Sequence, residues 1–297
     1  MSNYSDSHFD SASSNTSWYK VFHLIKDGSK VLDVGCSSGN FGVELINRKN
    51  CVVDGLELST SDAEVASKKL RRVHQLNVET DDLSDLDSDY DVIYFGDVIE
   101  HLLDPSNALI RIQKHLKSDG VVLFSIPNMA HISIRLLLLA GDFSYAETGL
   151  LDKTHLHFYT LDEIKRVFND ANMVIDTLDY VKKDFPQVVI EKELEKYGLR
   201  ANNKFYKKMA GVEASAFQFV GTAKKSTIKL KKSKLDVFSP VIDMFDEYHT
   251  NVTNDYKNSI KSLEDENARL NKQLGDLNGK LHLRIARKIK NKLNSSN

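Results

Sequence analysis

Two cysteines, Cys36 and Cys51, in 297 residues exclude a disulfide framework, and their spacing matches no zinc motif. That scarcity fits a reducing compartment, the cytoplasm. Only four prolines and fourteen glycines are present, too few for a collagen-like or low-complexity chain. Long apolar runs are also missing. The longest, Leu136 to Ala140, is far too short to cross a bilayer, and the N-terminus has neither the basic nor the apolar region of a secretory signal. No Gly-Lys-Ser/Thr follows a glycine loop, so a nucleotide phosphate loop is excluded.

What is there is a globular composition, 41% hydrophobic and 28% charged, long enough for about two domains. The net charge of -2 conceals an uneven distribution. From residue 224 onward 16 Lys/Arg accompany 9 Asp/Glu, whereas the first 223 residues carry 24 and 33. An acidic body of this kind is a poor nucleic-acid binder, and none is expected as a partner.

The first sixteen residues hold six serines and read as a disordered leader, 1–16. Trp18, Val21, Phe22 and Ile25 then fall at helical spacing. Lys30 to Val34 reads as a buried strand running through Gly35 and Gly39 into a helix over Phe41 to Arg48. Further strands are expected at Cys51 to Leu58, weakly at His74 to Val78, at Tyr90 to Phe95 and at Val121 to Ile126. Helices are expected at Ser61 to Arg72 and Asn107 to Leu116 between them. Such alternation predicts an α/β fold with a Rossmann-like, doubly wound, mostly parallel sheet. The stretch 129–158 breaks the alternation and reads as a lid. Thr160 and Glu163 match a capping box opening a helix over Leu161 to Ala171. Strands at Met173 to Val181 and Ala214 to Ala223 form an antiparallel pair at one edge, the second turning Ala216, Gln218 and Val220 outward. The main domain is thus 17–223.

Beyond it come a basic linker and helix start, 224–255, and a heptad stretch, 256–283. Ile260, Asn267, Leu274 and Leu281 take a positions, and Leu263, Leu270 and Leu277 take d positions. A parallel homodimeric coiled coil is expected, with Asn267 as the polar a residue; a single helix packed on its own domain is the alternative. The tail 284–297 continues a basic amphipathic pattern begun at Lys280. It suits an anionic membrane surface at the inner face of the membrane, or else is a solvated helix end.

In an open parallel sheet, ligands bind beyond the carboxyl ends of the strands. The segment Val31-Leu32-Asp33-Val34-Gly35-Cys36-Ser37-Ser38-Gly39 stands there and resembles the first motif of class I S-adenosylmethionine-dependent methyltransferases. The resemblance covers about Trp18 to Ala223. It implies that the loop Gly35, Cys36 to Gly39 wraps the methionyl end of the cofactor and that Asp33 orients its amino group. It likewise implies that Glu57 grips the ribose hydroxyls, with Asp54 as competitor, and that Asn77 reads the adenine where the family usually has Asp. Asp97-Val98-Ile99-Glu100-His101 resembles a segment facing the transferred methyl, with Asp97 on the cofactor side. The run Ile126-Pro127-Asn128-Met129-Ala130-His131, continued by Asp152-Lys153-Thr154-His155-Leu156-His157-Phe158-Tyr159, resembles methyltransferases of polysaccharide and O-antigen assembly. His155, then His101, and His131 nearby are the candidate bases for a hydroxyl acceptor; hydrogen-bonded structural roles compete for each. The histidines with Glu100 can also be assembled as a metal site, but His155 and His157 lie only two apart, and no metal is expected. Phe143, Tyr145, Phe158 and Tyr159 can stack on a sugar, though such residues are more often core.

The expected activity is therefore O-methylation of a sugar or lipid-linked glycan precursor, with S-adenosylmethionine as cofactor. A small-molecule methyltransferase of quinone or metabolite type is one alternative, and a non-catalytic scaffold with a retained fold is another.

Overall fold

The computed structural model describes residues 13–226 and 239–294. It divides into two units, the first ending at Ser233 and the second beginning at Lys234. The expected leader lies outside the described residues up to residue 12. Its last residues are fixed in place: the Asn15 amide exchanges two hydrogen bonds with the Lys182 backbone, at 2.7 and 2.8 Å, and Thr16 caps helix α1, Ser17–Leu24, by accepting from Tyr19 N.

The first unit is built on a seven-stranded sheet ordered β3-β2-β1-β4-β5-β7-β6. Its strands are β1, Lys30–Val34; β2, Val52–Leu56; β3, Arg72–His74; β4, Tyr90–Gly96; β5, Leu116–Pro127; β6, Met173–Lys182; and β7, Ala216–Lys225. The first five run parallel, and β7 is inserted antiparallel between β5 and β6. Chain order reverses between β1 and β4, so ligands are expected above those two strand ends.

Alternate residues of each central strand feed two cores, because successive side chains point to opposite faces. Leu32, Val34, Ile93, Phe95, Val122, Phe124 and Phe219 lie in one. Val31, Val53, Val92, Tyr94, Leu123 and Val220 lie in the other, beside Val21 and Phe22 of α1 and Phe41 and Leu45 of α2, Asn40–Lys49. The expected outward alternation of β7 is therefore corrected: Ala216, Phe219 and Val220 are all fully buried, since β7 is an interior strand covered on both faces.

β3 forms earlier than expected. The polar run after it folds into a turn instead, in which Asn77 Oδ1 accepts from Glu79 N at 2.8 Å and Asp81 Oδ2 from Asn77 N at 2.9 Å. Helix α3, Thr60–Ala66, is shorter than expected. Helix α4, Pro105–Ile112, gives way to a single tight turn, and β5 starts at Leu116, its register slipping against β4 near Tyr90. At helix α6, Leu161–Asp170, only half of the capping box forms: Thr160 accepts from Glu163 N, while the Glu163 carboxylate pairs with Arg166.

The lid contains helix α5, Ile132–Leu139. The segment between β6 and β7 adds α7, Gln187–Glu195; α8, Asn203–Met209; and α9, Val212–Ser215. Ile132 and Leu136 of α5 pack on Ile190, Leu194 and Ala214, joining lid and second insertion into one helical cap. The 183–215 helices were not visible as such in the sequence.

In the second unit α10, Ser239–Asn294, is one unbroken helix. Residues 227–238 of the expected linker lie outside the described residues, whereas residues 224 and 225 end β7. Ile260, Leu263, Leu270, Leu274 and Leu277 are exposed along α10, and Asn267 accepts from Asn271 of the same helix at 3.3 Å. Among the described residues no helix is long and apolar enough to cross a membrane.

Candidate functional site

β1 and β2 run in register, Asp33 beside Gly55 and Val34 beside Leu56, so their carboxyl ends sit side by side. The chain leaves β1 through Gly35 at φ +71°, Ser37 at +48° and Gly39 at +77°. The left-handed conformation at Gly35 favours glycine, and a Cβ there would lie 2.6 Å from Val98 Cγ2. The glycine loop is therefore in contact with the turn after β4, and the two strand ends make one continuous site.

Glu57, just past β2, ties this loop together. Its Oε2 accepts from Ser37 N and its Oε1 from Ser59 N, each at 2.8 Å. Each oxygen keeps a lone pair for a ligand hydroxyl. Asp54 is committed elsewhere: Arg71 grips both its oxygens and Tyr90 donates to Oδ2 at 2.7 Å. Of the two acids, Glu57 thus faces the glycine loop and Asp54 the Arg71 and Tyr90 side chains. Lys69 supports the loop from outside by donating to Ser38 O and Asn40 Oδ1, both at 2.8 Å. The Cys36 thiol is buried and pushed well above its ordinary range by that burial, then by Asp33 and Glu57.

Asp33 is 4% exposed. Burial, and then the neighbouring Glu57 charge, push its carboxyl up to about 8. Asp97, held at φ +56° and bonded by Gln218 from β7, is likewise raised by burial, with the Gln218 bond opposing. Asp33, Glu57 and Asp97 form an acceptor set suited to a ligand with hydroxyls, an amine and positive charge, and S-adenosylmethionine has all three. Asn77 is placed after β3, with its carbonyl already accepting from Glu79 N; the second lone pair remains for an adenine amino group.

Beyond Val98, a tight turn over Ile99–His101 presents Glu100 and His101. The lid segment folds down on it, Leu156 N and His157 N both donating to Glu100 O at 2.9 and 3.1 Å. This brings His155 against His101, ring centroids 4.8 Å apart and edge to face. His155 Nε2 is 4.0 Å from Glu100 Oε1. His101 Nδ1 meets Thr154 O at 3.1 Å, and the Thr154 hydroxyl donates to Asp152 Oδ1 at 2.6 Å. His155 is held below the usual imidazole range by burial, then by His101. The Glu100 carboxyl is pushed well up by burial, then by Asp97. Among the described residues neither of its oxygens has a hydrogen-bond partner.

His101 and His155 are thus brought together, and His131 is not among them. His131 Nε2 meets Lys183 O and Nδ1 meets Ser133 Oγ, both at 2.8 Å. With both ring nitrogens hydrogen-bonded, it clamps α5 to the end of β6, apart from the other two candidate bases. Phe143, Tyr145 and Phe158 form an edge-to-face cluster beside His155. Tyr159 belongs instead to the core, 4% exposed. Gln218 and Lys69 escape sequence reasoning because each reaches the site through chain folding; Asp152 was placed near His155 by the resemblance of the Asp152-Lys153-Thr154-His155 run, but its bond to Thr154 was not foreseen.

A profile described as "Methyltransferase domain" matches residues 16–178. The trans-aconitate 2-methyltransferase of Deinococcus radiodurans is 29% identical over 123 residues, 41% of this chain and 47% of that protein. A ubiquinone biosynthesis O-methyltransferase of Neisseria meningitidis serogroup A is 29% identical over 122 residues, 39% of this chain and 51% of its own length. The chain thus spans about half the length of these curated relatives. Among solved structures, a SAM-dependent methyltransferase from Aquifex aeolicus aligns over 72% of this chain and 93% of its own, at 15% identity and a TM-score of 0.45. The match to residues 16–178 covers more than half of the sequence. The chain therefore belongs to the methyltransferase domain family.

Proposed function

We propose that this chain is an O-methyltransferase whose acceptor is a ring-borne hydroxyl, first of all that of a sugar or lipid-linked glycan precursor. The observation that carries the reading is the cluster of Glu100, His101 and His155 at the end of β4, flanked by Phe143, Tyr145 and Phe158. S-adenosylmethionine supplies, when bound, an electrophilic methyl on a positively charged sulfur. The chain's own part is positioning and proton management. Asp33, Glu57 and Asp97 hold the donor above β1, β2 and β4. Phe143 and Tyr145 offer exposed ring faces to an acceptor. The acceptor hydroxyl, whose own pKa is very high, needs assistance in losing its proton, and this cluster is the polar group placed to give it.

A second reading, a small phenolic or quinone-type acceptor, is favoured by relatives named for ubiquinone biosynthesis O-methylation. Incubating the full chain with methyl-labelled S-adenosylmethionine and either lipid-linked or nucleotide sugars, or dihydroxybenzoate derivatives, separates the two. Label in a sugar methyl ether supports the first reading and label only in phenol ethers the second. Label in neither, with cofactor bound, supports a scaffold.

The heptad pattern on α10 supports self-association as a parallel dimer. Sedimentation of the full chain is expected to give a dimer, and Leu263→Lys with Leu270→Lys a monomer; an unchanged dimer contradicts this. The exposed basic residues Arg284, Arg287 and Lys288 support contact with an anionic lipid surface, read by flotation with anionic against neutral vesicles.

A further inference from the structure

Glu100 is a costly residue where it stands. Its side chain is 1% exposed, and neither carboxyl oxygen has a hydrogen-bond partner among the described residues. Buried polar atoms are nearly always satisfied, and an exception at a site marks a catalytic role or a place for a water, an ion or another bound group. The surrounding side chains indicate what that group is. One ligand atom from each of Glu100, His101 and His155 lies within 4.8 Å of the others. Those three chemistries, two imidazoles and a carboxylate, form the set that holds divalent first-row metals with positions left open for substrate.

The outer bonds of both rings fit the same purpose. His101 Nδ1 is 3.1 Å from Thr154 O. Donating there leaves Nε2 with a free lone pair, and the Asp152–Thr154 bond steadies that strand of the lid. His155 presents Nε2 toward Glu100 and is bonded to the Leu150 backbone. A metal-bound histidine almost always has its other nitrogen anchored in this way, which fixes tautomer and ring orientation. His157, two residues on, faces Leu103 O through Nε2 at 3.3 Å and does not join the group. The sequence argument against a metal rested on pairing His155 with His157; the fold pairs His155 with His101 instead.

We propose that Glu100, His101 and His155 bind a divalent first-row transition metal ion, with the remaining coordination positions open toward the acceptor. Ligand bonds of about 2.1 Å place donor atoms about 3.0 to 3.4 Å apart. The three ligand atoms lie within 4.8 Å of one another, with 4.0 Å between His155 Nε2 and Glu100 Oε1, so they close by about 1 to 2 Å through side-chain rotation. Two ligands come from the turn after β4 and the third from the lid, so metal binding also latches the lid over the site. Given the proposed hydroxyl acceptor, an ion there lowers the pKa of the oxygen it binds, and the proton leaves to water while the imidazoles act as ligands. The metal site itself does not depend on that reading.

The test uses the full chain after chelator treatment and dialysis, titrated calorimetrically with Zn2+ alone, with Co2+ absorption as a second readout. One equivalent per chain is expected, with micromolar or tighter affinity and a rise in Tm. Glu100→Gln and His155→Ala should each weaken binding more than tenfold, and so should His101→Ala, a half-buried position where folding is less at risk. Mg2+, which prefers oxygen ligands, should not compete. Absence of binding at 100 µM Zn2+ overturns the proposal, as does equal binding by the folded variants, which would place the ion elsewhere. S-adenosylmethionine titration of the same samples keeps the outcomes separate: cofactor binding without metal binding defeats the metal site and leaves the methyltransferase reading intact.

Discussion

Asp33→Asn is expected to make the protein more stable and nearly unable to bind its cofactor. The Asp33 carboxyl, pushed up to about 8 by burial and then by Glu57, keeps a proton that the unfolded chain has already released above about pH 4. The native state thus holds more protons than the unfolded state between about pH 4 and 8. Stability from this group therefore falls as pH rises through that window. At pH 7 the cost is as much as about 4 kcal/mol, and asparagine removes it without changing shape. Thermal melts should show the variant about 5 °C or more above wild type at pH 8, the gap closing toward pH 4.5. Over the same range S-adenosylmethionine affinity should drop about 100-fold or more, because a carboxylate facing a cationic ligand is replaced by a neutral amide. In the wild type, binding at pH 6.5 should release close to one proton, read from the dependence of calorimetric heat on buffer. A variant less stable at every pH would mean that Asp33 is a structural carboxylate.

The second large effect is expected far from any catalytic group. Asn128, fully buried, donates through Nδ2 to Glu213 O and Ala216 O, each at 2.7 Å, and accepts from Ala130 N at 2.9 Å. One amide thereby joins the end of β5, the start of the lid and the segment entering β7. Asn128→Asp keeps the shape but turns a double donor into an acceptor facing two carbonyls. Leaving those groups unpaired and burying a carboxyl costs about 3 to 5 kcal/mol. In a first unit of this size that corresponds to a Tm loss of about 10 °C. Limited proteolysis should cut first in the 183–215 cap, since that is what the amide holds down. An unchanged melt would show that the cap is held by its apolar contacts alone.

How much of this was legible beforehand follows from what each element depends on. β1, β4 and the glycine loop were readable because their apolar runs and positive-φ glycines are local signals. Glu57 stood out through the family resemblance of the segment that ends β2, and the structure places it against the glycine loop. The boundary of β3 was misplaced because Asn77 and Asp81 satisfy backbone amides locally and so favour a turn over strand pairing. The exposure of β7 was misread because an alternating pattern implies one wet face, and only the sheet order shows that both faces are covered. His131 was grouped with His155 through the family resemblance of the lid run, yet the cap claims both its nitrogens. The pairing of His101 with His155 depends on the lid's return to the Glu100 carbonyl, a contact between segments more than fifty residues apart. Gln218 against Asp97 is separated further still. Long-range polar contacts of this kind leave no periodic trace in the sequence.

The paired ends of β1 and β2 are where the cofactor is expected to bind. Calorimetric titration of the full chain with S-adenosylmethionine at pH 7.5 tests this most directly. One site per chain is predicted, with affinity reduced at least tenfold in Glu57→Ala, which removes both the ribose acceptor and the tie between Ser37 and Ser59. No heat at millimolar S-adenosylmethionine, or equal affinity in Glu57→Ala, would contradict it.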